Sequence, residues 1–144
     1  MRVRVIAVGT RMPRWVDEVF GDYVARLGSR LPVALTEIGA GSRAERGLIA
    51  ALRPGEFVVM LDERGREFRT RQLAKWLEER MVSGRDLAFV IGGPDGLGSA
   101  VLEHADLTWS LSQLTLPHAL VRVILAEQLY RAHSVLAGHP YHRE

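Results

Sequence analysis

Asp86 to Ile91 reads DLAFVI, and this short run limits the fold more than any other stretch. Apart from its first residue it is apolar throughout, with no alternation. A strand that meets water on one face alternates, so a continuous apolar run belongs in a sheet covered on both faces. Three further runs resemble it. Arg2 to Val8 (RVRVIAV) alternates at first and then turns wholly apolar. Glu56 to Leu61 (EFVVML) is bounded by Pro54-Gly55 and by Asp62-Glu63-Arg64-Gly65, and Leu107 to Leu111 is a shorter piece. Leu31 to Ile38 (LPVALTEI) alternates, with Pro32 near its start, where proline in a strand is tolerated.

Between these runs the period changes to three and four residues. Val16, Phe20, Tyr23, Val24 and Leu27 form one helical face that opens near Pro13 and stops at Gly28. A short helix is expected from about Arg43 to Leu52. A longer one, from about Thr70 to Val82, places Leu73, Trp76, Leu77 and Met81 inside and ends at Ser83-Gly84. Ser99 to His104 is a short helix. From His118, after Pro117, Leu120, Ile124, Leu125, Leu129, Ala132 and Leu136 recur at helical steps, and Val121, Val123 and Ala126 widen the apolar surface. A helix apolar over more than one face is buried on several sides, which points to a partner subunit besides the chain's own core.

Strands alternating with helices give an α/β fold with a mainly parallel sheet and helices on both faces. The 144 residues are expected to form a single domain over 1–144. There are no cysteines, hence no disulfide framework and no thiolate site. No signal-peptide h-region opens the chain, and no run approaches a membrane span, so a cytoplasmic protein without a membrane partner is expected. Net charge is only +2, yet all but one of the 19 basic residues are arginine. That bias fits either a GC-rich genome or contact with phosphate, whose oxygens match the guanidinium fork. Arg4, Arg11, Arg14 and Arg122 are candidates for such contacts.

In an open α/β sheet, ligands bind beyond the carboxyl ends of the strands. Three such ends stand out: Leu61-Asp62, the glycine-rich Gly92 to Gly98 (GGPDGLG), and Leu111 to Pro117. The glycines would let backbone groups approach a ligand closely. There is no G-x-G-x-x-G after the first strand and no P-loop lysine, which argues against a dinucleotide or nucleoside triphosphate held in the usual way. The five histidines lack zinc spacing, so no metal is expected. No G-x-S-x-G elbow supports a serine nucleophile.

Four segments together carry a resemblance: Val-Ile-Ala-Val-Gly-Thr-Arg-Met-Pro-Arg-Trp-Val at the start, Val-Ile-Gly-Gly-Pro-Asp-Gly-Leu, Ser-Leu-Ser-Gln-Leu-Thr-Leu-Pro-His-Ala-Leu-Val-Arg, and the terminal His-Pro-Tyr-His-Arg-Glu. In that order they resemble the bacterial 23S ribosomal RNA pseudouridine-N3 methyltransferases of the SPOUT class. The resemblance implies a C-terminal trefoil knot, which the ordinary rule against threaded chains would never suggest. It also implies a homodimer, S-adenosyl-L-methionine (AdoMet) as cofactor, and ribosomal RNA or the ribosome as partner. Carried over, the cofactor contacts fall on Leu61, Gly92, Ser112, Gln113, Leu114, Thr115, Leu116 and Pro117. His118, Tyr141 and Arg143 are the catalytic candidates, with their roles unassigned. Asp95 stands where many relatives carry glutamate, and the region from Gly39 to Glu56 looks short, which puts peripheral RNA contacts there in doubt. The alternatives are a SPOUT enzyme for another rRNA or tRNA site, and a ribosome-binding knot protein without catalysis.

Overall fold

A computed structural model describes residues 1–143. In chain order the elements are β1 (Val3–Val8), α1 (Arg14–Leu27), β2 (Val33–Ile38), α2 (Ala44–Ala51), β3 (Phe57–Arg66), α3 (Thr70–Ser83), β4 (Leu87–Ile91), α4 (Ser99–Leu102), β5 (Leu107–Trp109) and α5 (His118–Leu136). A 3₁₀ turn, Pro140–Arg143, follows α5. The five strands form one sheet in the order β2-β1-β4-β3-β5. All its pairings are parallel, with Val5 beside Phe89 and Phe89 beside Val59 across the centre.

The alternation of Cβ directions along a strand divides the core in two. On one face Val3, Val5, Val59, Phe89 and Ile91 meet Phe20 and Leu27 of α1, Leu73, Trp76 and Leu77 of α3, and Leu125 and Leu129 of α5. On the other, Ile6, Val8, Met60 and Val90 meet Leu48 of α2 and Val101 of α4. Every residue of β4 is buried, as its unbroken apolar run requires. The edge strand β2 is only half-buried, with Val33 and Leu35 packed against one core cluster and Ile38 against the other. Helix α5 lies between α1 and α3. Its innermost residues, Leu125, Ala126, Leu129 and Ala132, are sealed from solvent. Truncating such a leucine to alanine costs about 2–5 kcal/mol.

Several boundaries differ from the expected ones. β3 does not stop at Leu61. Asp62-Glu63-Arg64-Gly65 has the composition of a turn, yet the strand runs on to Arg66, with a register shift between Leu61 and Arg66. The Ser110 amide donates to the Arg66 carbonyl at 2.8 Å. Gly65 lies so close to β5 that a Cβ would meet the Thr108 carbonyl carbon and oxygen at 2.6 Å, a contact only glycine permits. β2 begins at Val33, β5 ends at Trp109 and α4 ends at Leu102, each shorter than its apolar pattern. α5 begins at His118 as expected, with Pro117 as its N-cap.

Candidate active site at the carboxyl ends of the strands

A cavity of about 510 Å³ opens where β3, β4 and the segment after β5 end, within the range of small-molecule sites. Leu61, Gly92, Ser112, Leu114, Thr115 and Leu116 all line it, so three strand ends that are distant in sequence form one cup. Gln113 and Pro117 fall outside the lining.

The loop after β5 is braced at both ends. The Ser110 hydroxyl donates to the Ser112 carbonyl at 2.9 Å, and Ser112 Oγ accepts the Leu114 amide at 3.0 Å. Across the mouth the Thr115 hydroxyl donates to Glu63 Oε2 at 2.9 Å, joining this loop to the extension of β3. Leu114 stays 73% exposed, an apolar side chain at the rim with no wall of its own.

The glycine loop owes its shape to collisions rather than to an open approach. Gly93 and Gly96 bridge, and the Gly96 amide donates to the Gly93 carbonyl at 2.9 Å. A Cβ at Gly92 would meet the Gly96 oxygen at 2.6 Å and carbon at 2.8 Å, both backbone atoms of the same loop. Gly92 is therefore required for the turn to close. Leu97 then anchors the loop in the core. At its far end the Gly98 amide donates to Glu45 Oε1 at 2.6 Å, so a carboxylate from α2 caps α4 and pins the loop.

The extension of β3 brings charge that the apolar pattern concealed. Asp62, Glu63, Arg64 and Asp95 line the cavity, three carboxylates against one guanidinium. Arg64 forks onto Asp62, with Nε to Oδ1 and Nη2 to Oδ2 both at 2.9 Å. The Arg64 side-chain hydrogen bond is the main reason the Asp62 carboxyl lies below the usual carboxylate range, against the opposing effect of burial. Asp62 therefore stays ionised. Apolar walls come from Leu61, Ile91, Leu116 and Val121.

Of the catalytic candidates, His118 lines the cavity. Its Nε2 lies 3.8 Å from the position of a Cβ on Gly9, at the end of β1. Tyr141 and Arg143 do not line it. The Tyr141 hydroxyl is 3.0 Å from Glu127 Oε2 and 3.1 Å from the Tyr23 hydroxyl. With one proton to give, it donates to the carboxylate and accepts from Tyr23. Its ring meets that of Tyr130 at 4.6 Å. Burial, then the bonds to Tyr23 and Glu127, push the Tyr141 phenol well above its usual value. Glu127 lies roughly 13 Å beyond His118 along the axis of α5 at 1.5 Å per residue. Within one protomer the tail is thus held away from the cup, with Arg143 exposed.

Two of the arginines proposed for phosphate are structural instead. Arg122 is 1% exposed. Its Nη1 donates to Glu37 Oε2 at 2.6 Å and its Nη2 to the Gly9 carbonyl at 2.7 Å. Arg4 donates to Glu56 Oε1 at 2.7 Å and to the Ala51 carbonyl at 2.9 Å. Arg14 is exposed beside Glu18, and Arg11 is exposed. Sequence reasoning named Asp62 only as part of a strand end, and missed Glu45, Glu63 and Arg64. Position beside a strand end could have signalled Glu63 and Arg64, whereas Glu45 on α2 left no such signal. Among the described residues no group of histidines and carboxylates could hold a metal ion, and no helix is long and apolar enough to cross a membrane.

A parallel sheet with a cup of this kind at its carboxyl edge defines a class, and the class has a family: the chain belongs to the SPOUT methyltransferases, whose family profile, described as "Predicted SPOUT methyltransferase", matches residues 1–142. More particularly, it is 48% identical over 156 residues to the "Ribosomal RNA large subunit methyltransferase H" of Chromobacterium violaceum, with 100% of both chains covered. The protein of that name from Laribacter hongkongensis is 49% identical over the same length and coverage. Among solved structures, a methylase-family protein from Haemophilus influenzae has the same fold, with a TM-score of 0.61 at 13% identity, covering 96% of this chain and 69% of that one. A Legionella pneumophila methyltransferase solved with bound SAM superposes with a TM-score of 0.50 at 8% identity, covering 92% of this chain and 66% of that one.

The cup suits the cofactor of this family. The apolar walls fit an adenine ring. Glu63, Asp95 and the Arg64-paired Asp62 give the cup an acidic side that suits a ligand carrying a sulfonium and an ammonium.

Proposed function

We propose that the protein methylates N3 of a pseudouridine in 23S ribosomal RNA, as a cytoplasmic homodimer acting on assembled ribosomes. The observation that carries this reading is the single cup in which Leu61, Gly92 and Thr115 meet, in a chain that aligns end to end with relatives named for large-subunit rRNA methylation.

AdoMet would supply an electrophilic methyl carbon. Leu61, Leu114 and Leu116 would flank its adenine, the backbone of Gly92 and Ser112–Pro117 would hold adenine and ribose, and Asp62 and Glu63 would attract its positive groups. Alignment and exclusion of water are the protein's main tasks in an in-line displacement. Pseudouridine N3 carries a proton at neutral pH, so the site must remove it or stabilise the anion. His118 stands at the cup and is the candidate for handling that proton. Tyr141 and Arg143 would serve the cup of a second copy, with Arg143 positioning base or phosphate. The family's trefoil knot belongs to the same reading, with the segment from Ser112 into α5 as the threaded part.

The dimer has independent support. Leu120, Val123 and Ile124 on α5 are only half-buried and lie outside both core clusters. Trp15 of α1 is 47% exposed. Apolar side chains left partly open on a helix in this way favour burial against a second copy.

Arg143→Ala tests the reading. AdoMet binding and self-association should persist while rRNA methylation falls by orders of magnitude. Unchanged turnover would remove the tail from the mechanism.

A further inference from the structure

At the opposite edge of the molecule, a second cleft of about 410 Å³ lies between the C-terminal ends of α1 and α5. Arg26, Ser29, Arg30, Tyr130, His133 and His139 line it, and no carboxylate does. Its basic groups are not equivalent. Arg26 is engaged with Asp22 at 3.1 Å and lies over the rings of Tyr23 and Tyr130. His133 sits in the last turn of α5, where basic groups answer the partial negative charge of a helix end. The terminal carbonyls of both helices also have donors: Gly28 to Val24, Ala137 to His133 and His139 to Ser134. Arg30 lies beyond the end of α1, exposed, with no ion pair among the described residues. It is a cation in excess of what the helix ends require.

Donors surround it. His139 Nδ1 accepts the Tyr141 amide at 3.2 Å, so a neutral His139 carries its proton on Nε2. Ser29 adds a hydroxyl. Burial, and then the Arg30 charge, hold His133 below the usual histidine value. An anion seated between them would offset that repulsion.

We propose that this cleft is an anion subsite that takes a backbone phosphate of the RNA substrate, with Arg30 supplying the charge and His133, His139 and Ser29 the hydrogen bonds. The proposal rests on the reading of RNA as substrate. The subsite lies roughly 22 Å along α5 from His118 of the same protomer, so it would hold the RNA backbone away from that protomer's own cup and fix the orientation of a structured RNA. Phosphate contacts set register in this way while carrying no sequence information.

The test uses the full chain and the exposed substitution Arg30→Ala. Inorganic phosphate should shift the ring NMR signals of His133 and His139 in the wild type and raise the titration midpoint of His133. Neither change should occur in Arg30→Ala. Binding of large-subunit rRNA should weaken about three- to tenfold, with a log–log salt slope smaller by about 1, while AdoMet affinity is unchanged. Arg30→Lys should restore most of the binding. If rRNA affinity and salt slope are the same in Arg30→Ala as in the wild type, the phosphate contact is overturned. That holds even if free phosphate still moves the ring signals, because the cleft is then a site for free anions only. If wild-type protein binds no rRNA, the functional reading falls and takes this contact with it. The phosphate titration would still report whether the cleft holds an anion.

Discussion

Arg122 of α5 reaches across the sheet edge to Glu37 of β2, its Nη1 2.6 Å from Glu37 Oε2. The same guanidinium holds the Gly9 carbonyl at the end of β1. One buried cation thus ties the start of α5, and His118 one turn before it, to the first two strands. Its Nε has no partner among the described residues, which makes the two remaining contacts matter more. Removing one partner of a buried pair leaves an uncompensated charge.

Glu37→Ala should therefore destabilise the protein by about 2–3 kcal/mol in urea denaturation. That is less than the about 3–5 kcal/mol of a fully enclosed pair, because Glu37 is 33% exposed. A loss below about 0.5 kcal/mol, the level of an ordinary surface change, would show that the pair does not organise this corner.

The contact between Glu45 and Gly98 predicts a remote effect on cofactor binding. Glu45→Ala frees the end of the glycine loop, at a cost of about 1 kcal/mol. AdoMet affinity should fall about fivefold. Glu45→Gln keeps an acceptor oxygen and should restore most of it. Equal affinities by calorimetry in all three proteins would separate α2 from the cofactor loop.

The two glycines of that loop should respond differently. At Gly92 a Cβ strikes the backbone of Gly96, so Gly92→Val should open the turn and abolish AdoMet binding in a folded protein. At Gly98 the obstacle is the end of a flexible glutamate, which can swing away. Gly98→Ala should resemble Glu45→Ala and no worse. Normal AdoMet affinity in folded Gly92→Val would place the pocket elsewhere.

The pH behaviour of Asp62 and Tyr141 follows from their partners. Asp62 is depressed, so its contribution to stability is present above the ordinary carboxylate value and is lost only as pH falls through its lower folded value. Arg64→Ala should bring its NMR titration back towards the ordinary range. Tyr141 is raised, so its contribution is complete below pH about 10 and is lost as pH rises through the higher folded value. A methylation profile limited by a group with a pKa near 7 would exclude Tyr141, as held in this protomer, as the base.

Much of this was legible in the residues. The unbroken run of β4 and the helical periods of α3 and α5 mark buried elements, although Met81, expected inside, is exposed because the last turn of α3 runs past the sheet-facing Leu73, Trp76 and Leu77. The three strand ends were visible because glycine and polar residues follow apolar runs there. The rest needed the third dimension. Asp62 to Gly65 looks like a turn because local composition does not register a partner strand more than forty residues away. Arg122 looks like a solvated helix residue because an ion pair across the fold leaves no periodic trace. The separation of Tyr141 from His118 could not be read at all, since a tail's docking depends on the surface it meets.

Methyl transfer can be followed with purified protein, labelled AdoMet and 23S rRNA from a strain lacking the protein. Nucleoside mass spectrometry of that RNA, free and in ribosomes, should find one added methyl on a single pseudouridine, at N3. No transfer to either form, or transfer to another base, would rule out pseudouridine-N3 methylation as the activity of this protein.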